Sequence, residues 1–306
     1  MKKIKLLLLS ILIATTVIAN DTLTQINFEQ DNDGNFNPNI FVPINWNNDY
    51  YSGIGYTSST SKDIGKLNSF ADSKNGAVST KNDTTINWIT RKISNYSIGI
   101  QTNIQKINNN EFGYIHDTTD IFGNGNDYWI AFDNDIELDI LKTSIYADYS
   151  KNIKDIFLRI STNISPSTKI DVKQSTLFKL LVNNIGSSTS STSQDLSYSL
   201  KFEAYYNTHS FVNLGFEYSY NFNPLKYNIA QLAYENSNYI FKTNTIDTDE
   251  ITTKYIAKLY FDKKVIGDLN PSIGFGKISK EVKDNNTNKV TTENNNIISI
   301  GFEKRF

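Results

Sequence analysis

The C-terminal segment constrains the fold most strongly, because its residues alternate in character up to the last position. Ile298, Ile300 and Phe302 are interleaved with Ser299, Gly301 and Glu303, and the sequence ends in an aromatic residue, Phe306. A period of two is typical of a β-strand with one apolar and one polar face. The segment therefore predicts an amphipathic terminal strand, either in a closed barrel or at the edge of a soluble sandwich.

The other end of the sequence predicts export. Lys2, Lys3 and Lys5 precede an apolar run over 6–14 and a small-residue site at Val17-Ile18-Ala19, which is the pattern of a secretory signal peptide. The apolar run is shorter than the ~20 residues that a helix needs to cross a bilayer. We expect residues 1–19 to be removed and residues 20–306 to form a single domain.

Composition favours a membrane barrel over the sandwich. The sequence contains 18 Tyr and 18 Phe but 1 Met and 5 Pro, and its mean hydropathy is −0.41. Aromatic and polar residues without long apolar runs suit strands that face lipid on one side and water on the other. The terminal aromatic strand resembles the signal by which outer-membrane barrel proteins are recognised for assembly. The predicted fold class is an all-β, transmembrane antiparallel barrel of the bacterial outer membrane.

Several function classes are disfavoured. There are no cysteines, so thiolate chemistry and disulfides are unavailable. The formal net charge of −2, with no basic block, argues against a nucleic-acid partner. No phosphate loop, dinucleotide loop, nucleophile elbow or zinc-protease motif occurs in the sequence.

Counting strands back from the terminal one predicts twelve, with ten or fourteen as alternatives. The count uses the rule that periplasmic turns are short and outer loops longer. It makes Leu23–Asn32 ascend to the outer rim and Tyr50–Ser59 descend from it, with a weak candidate at Ile64–Phe70. The ranges Ser165–Asp195 and Asn223–Asn244 stay ambiguous between loops and further strands.

This topology predicts a polar cluster at the outer rim. Asp31 and Asp33 offer oxygen ligands for calcium, although Asp, Asn and Gly are also common in turns. Ser52 begins the predicted second strand at the same rim. His116, in the predicted outer loop 108–128, has a suitable pKa for a general base, with Asp117 or Asp120 to orient it. His209 falls in a periplasmic turn, where a structural role is expected.

These motifs resemble the lipid A 3′-O-deacylase (LpxR) family. The family opens its barrel with an Asn-Asp pair, which Asn32-Asp33 matches, followed by a Tyr-Thr/Ser-x-Gly segment, which Tyr51-Ser52-Gly53 matches with one residue missing. Its catalytic histidine lies in a later outer loop, upstream of a Gly-x-Trp element, as His116 lies upstream of Gly125 and Trp129. The family's Gly-Pro element is absent, and the resemblance covers the first half of the chain.

The resemblance implies calcium-dependent hydrolysis of an ester-linked acyl chain on lipid A at the outer leaflet. His116 would be the general base, calcium held by Asp31 and Asp33 would stabilise the oxyanion, and Asn32 and Ser52 would position the ester or the metal. With Asp120 as the group that orients His116, the predicted catalytic residues are His116, Asn32, Asp33, Ser52 and Asp120. The partners would be lipopolysaccharide and outer-membrane lipids, with the oligomeric state open. The alternative is a non-enzymatic outer-membrane barrel, either a small porin or a surface adhesion protein. An outer-membrane phospholipase is the least favoured hypothesis.

Overall fold

The computed structural model describes residues 25–30, 36–62, 76–117, 128–178, 183–193, 195–235, 238–262 and 269–304. The predicted signal peptide, the weak strand candidate at Ile64–Phe70 and Phe306 lie outside these ranges. All regular secondary structure in the described residues is β-strand. No helix among them is long and apolar enough to cross a membrane.

Fourteen strand segments make up the described structure. They are β1 Gln25–Gln30, β2 Phe36–Asn45, β3 Tyr50–Lys62, β4 Gly76–Ile93, β5 Tyr96–Asp117, β6 Tyr128–Ile153, β7 Ile156–Ser165, β8 Thr168–Phe178, β9 Asn183–Ser193, β10 Ser197–Tyr206, β11 Val212–Glu235, β12 Asn238–Phe261, β13 Leu269–Asp284 and β14 Val290–Lys304.

The fourteen segments form twelve wall strands. Segments β7 and β8 both pair with β6, one along each half of it, so together they make one wall strand interrupted at Pro166-Ser167. Segments β9 and β10 pair with β8 and β7 in the same way and make the next wall strand. All pairs are antiparallel, and β1 pairs with β14 while β5 pairs with β6, so the barrel is closed. The predicted barrel class and strand number are confirmed.

The strand list differs from the prediction at one decisive place. Residues 36–45 form β2, which the sequence analysis did not predict because Pro38 and Pro43 interrupt its pattern. Because β2 descends from the outer end, β3 must ascend, so the prediction that Tyr50–Ser59 descends is wrong. The ambiguous range Ser165–Asp195 contains β8 and β9, and the range Asn223–Asn244 consists of extensions of β11 and β12.

Alternation along the strands separates a lipid face from a polar interior. On β7, Ile156, Ile160 and Ile164 point outward and are exposed, and Leu214 and Phe216 do the same on β11. The inward residues at the same level are buried and polar, as in Asn27, Thr90 and Ser299. Apolar side chains outside and polar ones inside are the arrangement that a membrane-spanning barrel requires.

The paired rows climb around the barrel. One row of paired residues starts at Ile140 of β6, passes through Gln105 and Asp83, and reaches Gly301 of β14. The neighbouring row, which contains Ile300, continues around the rest of the barrel and returns to β6 at Ile153. The stagger is therefore about 14 residues, which for twelve strands corresponds to a tilt of roughly 40°. This stagger determines where each candidate residue lies between the periplasmic and the outer end of the barrel.

Candidate functional site

Ser52 lies at the opposite end of the barrel from the predicted rim. The turn 46–49 joins β2 to β3, and Ser52 is the third residue of β3 after it. Its hydroxyl donates to the Trp88 carbonyl oxygen at 2.6 Å and accepts from Trp46 Nε1 at 2.8 Å. The prediction that Ser52 shares a rim with Asn32 and Asp33 is wrong, because β2 reverses the direction of β3.

His116 is in strand β5, where it pairs with Trp129 of β6, rather than in an outer loop. A continuous row of paired residues joins Asn27 of β1 to Gln105 of β5. Because β1 and β5 run in the same direction, the residue of β5 on the row of Gln30 is Asn108. His116 is eight residues further out, or about 26 Å along the strand, and β5 is four strands away, or about 19 Å around the wall. The backbone positions of Gln30 and His116 are thus about 30 Å apart.

The remaining predicted site residues, Asp31, Asn32, Asp33 and Asp120, lie outside the described residues, and their roles stay predictions. Within the described ranges, no group of three or more histidine or acidic side chains is arranged to hold a metal ion. Calcium therefore remains a prediction from the resemblance alone. The described backbone places Ser52 and His116 at opposite ends of the barrel, so these two residues do not share one site.

His209 occupies the turn between β10 and β11, as predicted. Its Nε2 lies 2.8 Å from Oδ1 of Asp155, which is in the neighbouring turn between β6 and β7. Its φ of 55° is in the left-handed region that tight turns use. The contact links two turns at the periplasmic end, which agrees with a structural role.

A chain of ion pairs, buried at its centre and partly exposed at Arg159 and Lys201, runs along the barrel interior at the level of the lipid belt. We call it the charged ladder. Each member points inward, and the chain alternates acid and base from β6 to β1. Its members are Asp148 on β6, Arg159 on β7, Lys201 and Glu203 on β10, Glu217 on β11, Lys254 and Lys258 on β12 and Glu29 on β1.

Glu217 is the centre of the ladder. Its carboxylate lies 3.2 Å from Lys258 Nζ, 3.6 Å from Lys201 Nζ and 3.9 Å from Lys254 Nζ. The Lys258 side chain is 3% exposed and that of Glu217 is 10% exposed. Three ammonium groups surround this one carboxylate. Because Glu217 and Lys258 have little contact with water, salt screens the interaction between them only weakly.

Arg159 anchors one end of the ladder. Its Nε donates to Asp148 Oδ1 at 2.8 Å, its Nη2 donates to the Tyr146 hydroxyl at 3.0 Å, and its Nη1 lies 3.6 Å from Glu203 Oε2. The planar guanidinium thus joins the strands β6, β7 and β10 through several donors at once.

At its other end the ladder passes strands β13 and β14, whose inward faces carry small residues. Lys254 of β12 contacts Glu29 of β1 across the inward faces of β13 and β14. Those faces carry Gly274, Gly276 and Gly301, and an added Cβ at Gly301 would collide with the Asn27 side chain.

The ladder brings no net charge into the interior. It contains four bases and four acids, each within ion-pair distance of an opposite charge. On the adjoining arc of wall the inward residues Asn27, Asn213, Asn270, Ser272 and Ser299 are each 3% exposed or less. Inward side chains of an open channel would be wetted, so this part of the interior is packed.

Above the lipid belt the polarity of the two faces of β6 is reversed. On β6, the outward residues change from Ile145 and Leu141 to Asp139 and Glu137, while the inward residues change from Tyr146 and Lys142 to apolar Ile140, Leu138 and Ile136. Polar outside and apolar inside is the pattern of a β-structure surrounded by water. The belt therefore ends near Leu141, and the outer part of β6 is an extracellular segment.

The outer extension has a hydrophobic core of its own. We call it the outer apolar cluster. It joins inward residues of two facing walls, and all of its central members are buried. They are Ile136, Leu138 and Ile140 of β6, Ile170 and Val172 of β8, and Leu225, Tyr227 and Ile229 of β11, with Ile107 and Ile246 at its margin. The two walls thus pack face to face beyond the membrane.

Sequence reasoning missed both features. The ladder has a detectable signal, because Lys201-x-Glu203 and Lys254-x-x-x-Lys258 place charges on the polar face of otherwise apolar strands. The outer apolar cluster has a weaker one, since Leu225-x-Tyr227-x-Ile229 alternates in the range that was ambiguous between loop and strand. Neither signal could be joined to its partners without the strand order.

Comparisons with known proteins add only a likeness of fold. No protein-family model and no curated protein matches the sequence. Among solved structures, the chain is similar to the translocator domain of the autotransporter NalP from Neisseria meningitidis, at 8% identity, 93% coverage of this chain, 87% of that chain and a TM-score of 0.48.

Two further solved structures show a similar likeness. The Pseudomonas putida toluene transporter TodX is 9% identical, with 96% of this chain and 92% of that chain covered and a TM-score of 0.46. A Pseudomonas aeruginosa FadL homologue is 10% identical, with 95% and 92% covered and a TM-score of 0.43. At such identities and TM-scores the likeness carries no inference about activity, so function has to be argued from the barrel itself.

Proposed function

We propose that this chain is a non-enzymatic outer-membrane barrel that displays a folded β-structure outside the cell and acts as a surface adhesion protein. The observation that carries the proposal is the outer apolar cluster. A transmembrane barrel needs only about 9–11 residues per strand, whereas β11 and β12 each have 24. The additional length has its own buried core and a polar, water-facing exterior, which is what a stable recognition domain requires.

The charged ladder supports adhesion over transport. A solute crossing the barrel would have to pass Glu217 and the three lysines around it, and breaking a buried ion pair costs several kcal/mol. A small porin is the second candidate, because the side chains of Arg159 and Lys201 are partly exposed, at 24% and 32%. Passage along that side of the interior would give a measurable current.

Conductance and attachment separate these two functions. We expect the purified protein to give no steady ionic current in planar bilayers. Cells expressing it should attach to polystyrene and to an epithelial cell layer more than cells carrying an empty vector. A variant lacking residues 231–242, which shortens the β11–β12 hairpin but keeps Leu225, Tyr227 and Ile229, tests whether the outer extension is responsible. A steady current without any gain in attachment would favour the porin.

The deacylase hypothesis has its own test, because the geometry does not support it. With His116 about 30 Å from Gln30 and Ser52 at the other end, we expect mass spectrometry to find the same lipid A in cells with the wild-type protein, the His116→Ala variant and no protein. The measurement is repeated with calcium added and chelated. Loss of an acyl chain in the wild type alone would make the chain a lipid A hydrolase and overturn the adhesion proposal.

A further inference from the structure

One strand of the outer extension has a free edge. Strand β9 forms a backbone ladder with β8 and, among the described residues, with no other strand along Asn183–Ser193. The neighbouring wall strand β11 pairs with β10 only up to Phe222, and beyond that residue it approaches β9 without forming a backbone ladder with it. Within the described ranges, the backbone N–H and C=O groups on this side of β9 therefore have no strand partner.

The sequence of β9 lacks the features that usually protect an edge strand. Asn-Asn-Ile-Gly-Ser-Ser-Thr-Ser-Ser-Thr-Ser contains no charged residue and no proline. Natural edges are normally blunted by lysine, proline, a bulge or short length, and this edge runs for eleven residues without them. By contrast, β8 beside it carries Lys169, Asp171 and Lys173.

Strand β9 contacts β11 near its membrane end. The Ser191 hydroxyl donates to the Lys226 carbonyl oxygen at 3.1 Å, which joins a side chain of β9 to the backbone of β11. The contact is near the membrane end of β9, whereas Asn183 is eight residues further out. The edge is thus fixed at its base and directed away from the membrane.

We propose that β9 is a self-association edge whose partner is β9 of a second copy of this chain, held in the membrane of a facing cell. The proposal rests on the adhesion function and names its partner. Two identical strands that pair antiparallel are related by a two-fold axis perpendicular to their sheet. That axis turns one barrel upside down relative to the other, so the two copies cannot share one membrane.

The neutral sequence makes this pairing self-complementary. In the register that pairs all eleven residues, Ser188 lies opposite Ser188 of the partner copy. Residues that face outward in one copy then lie beside residues that face outward in the other. Serine and threonine pairs across strands form favourable contacts, and no like charges meet. A single strand pair is weak, but the many copies on two cell surfaces act together and multiply its effect.

Charge substitutions at the centre of the register test the pairing. Wild-type expressing cells should clump with one another. Cells with Ser188→Lys and cells with Ser188→Glu should each clump about tenfold more slowly, because like charges about 5 Å apart face each other across the axis. A mixture of the two variants should recover the wild-type rate. A variant that merely failed to fold could not produce this recovery.

A matched control uses Thr292, an exposed outward residue of β14, outside the proposed edge. Thr292→Lys and Thr292→Glu should clump as the wild type does, with equal surface amounts measured by antibody. Unchanged clumping of the Ser188 variants, or no recovery in the mixture, would overturn the pairing. Wild-type cells that attach to epithelial cells without clumping would overturn the pairing and leave adhesion standing; cells that do neither would remove adhesion itself.

Discussion

Replacing Glu217 by alanine is expected to lower the free energy of unfolding by about 3–5 kcal/mol, the range for removing one partner of a buried ion pair. The substitution removes the carboxylate that lies within 4 Å of Lys201, Lys254 and Lys258. The three ammonium groups then repel one another, and Lys258, which is 3% exposed, has little water to solvate its charge. Few other single changes in the described barrel would disturb as many charges.

Urea unfolding in detergent micelles, followed by tryptophan fluorescence, measures the effect. Glu217→Gln keeps the volume and removes the charge, so it should be nearly as destabilising as alanine. Glu281→Ala is the matched control, because Glu281 is exposed on β13, and it should change the unfolding free energy by less than about 0.5 kcal/mol. Equal effects of Glu217→Ala and Glu281→Ala would mean that the ladder is wetted and contributes little.

The barrel could be predicted from the sequence because its cause is local. Apolar and polar residues alternate along the lipid-facing strands, as at Ile298, Ile300 and Phe302 of β14. Strand direction is not local, since it depends on every preceding strand being counted. Two prolines concealed β2, and this single omission reversed β3 and carried Ser52 to the wrong end of the barrel.

The candidate site was less predictable for a related reason. Sequence alone could place His116 outside the membrane but not say how far, because β5 continues as a strand for ten residues beyond Ile107. Ladder residues such as Glu29 and Lys254 are 225 positions apart and meet only when the barrel closes. The outer apolar cluster was hidden because the face that is apolar changes partway along β6 and β11.

That change of face leads to the second large expected effect. Leu138→Asp places a carboxylate in the outer apolar cluster, where Leu138 is 3% exposed, and should cost about 4 kcal/mol or more. The two outer walls should separate while the barrel stays inserted. Trypsin added to intact cells should then cut the extension near Lys169, Lys173 and Lys226, whereas the wild type resists.

The same polarity rule predicts opposite results on the lipid-facing half of β6. Ile145 is 59% exposed on the outside of the belt, and Ile145→Arg should cost about 2–4 kcal/mol near the bilayer centre and reduce insertion of the whole barrel. Glu137→Leu, on the water-facing side next to Leu138, should leave both insertion and trypsin resistance intact, because its ion pair with Lys173 is exposed. If Leu138→Asp impaired insertion as Ile145→Arg does, the outer cluster would belong to the transmembrane barrel and not to a separate extracellular core.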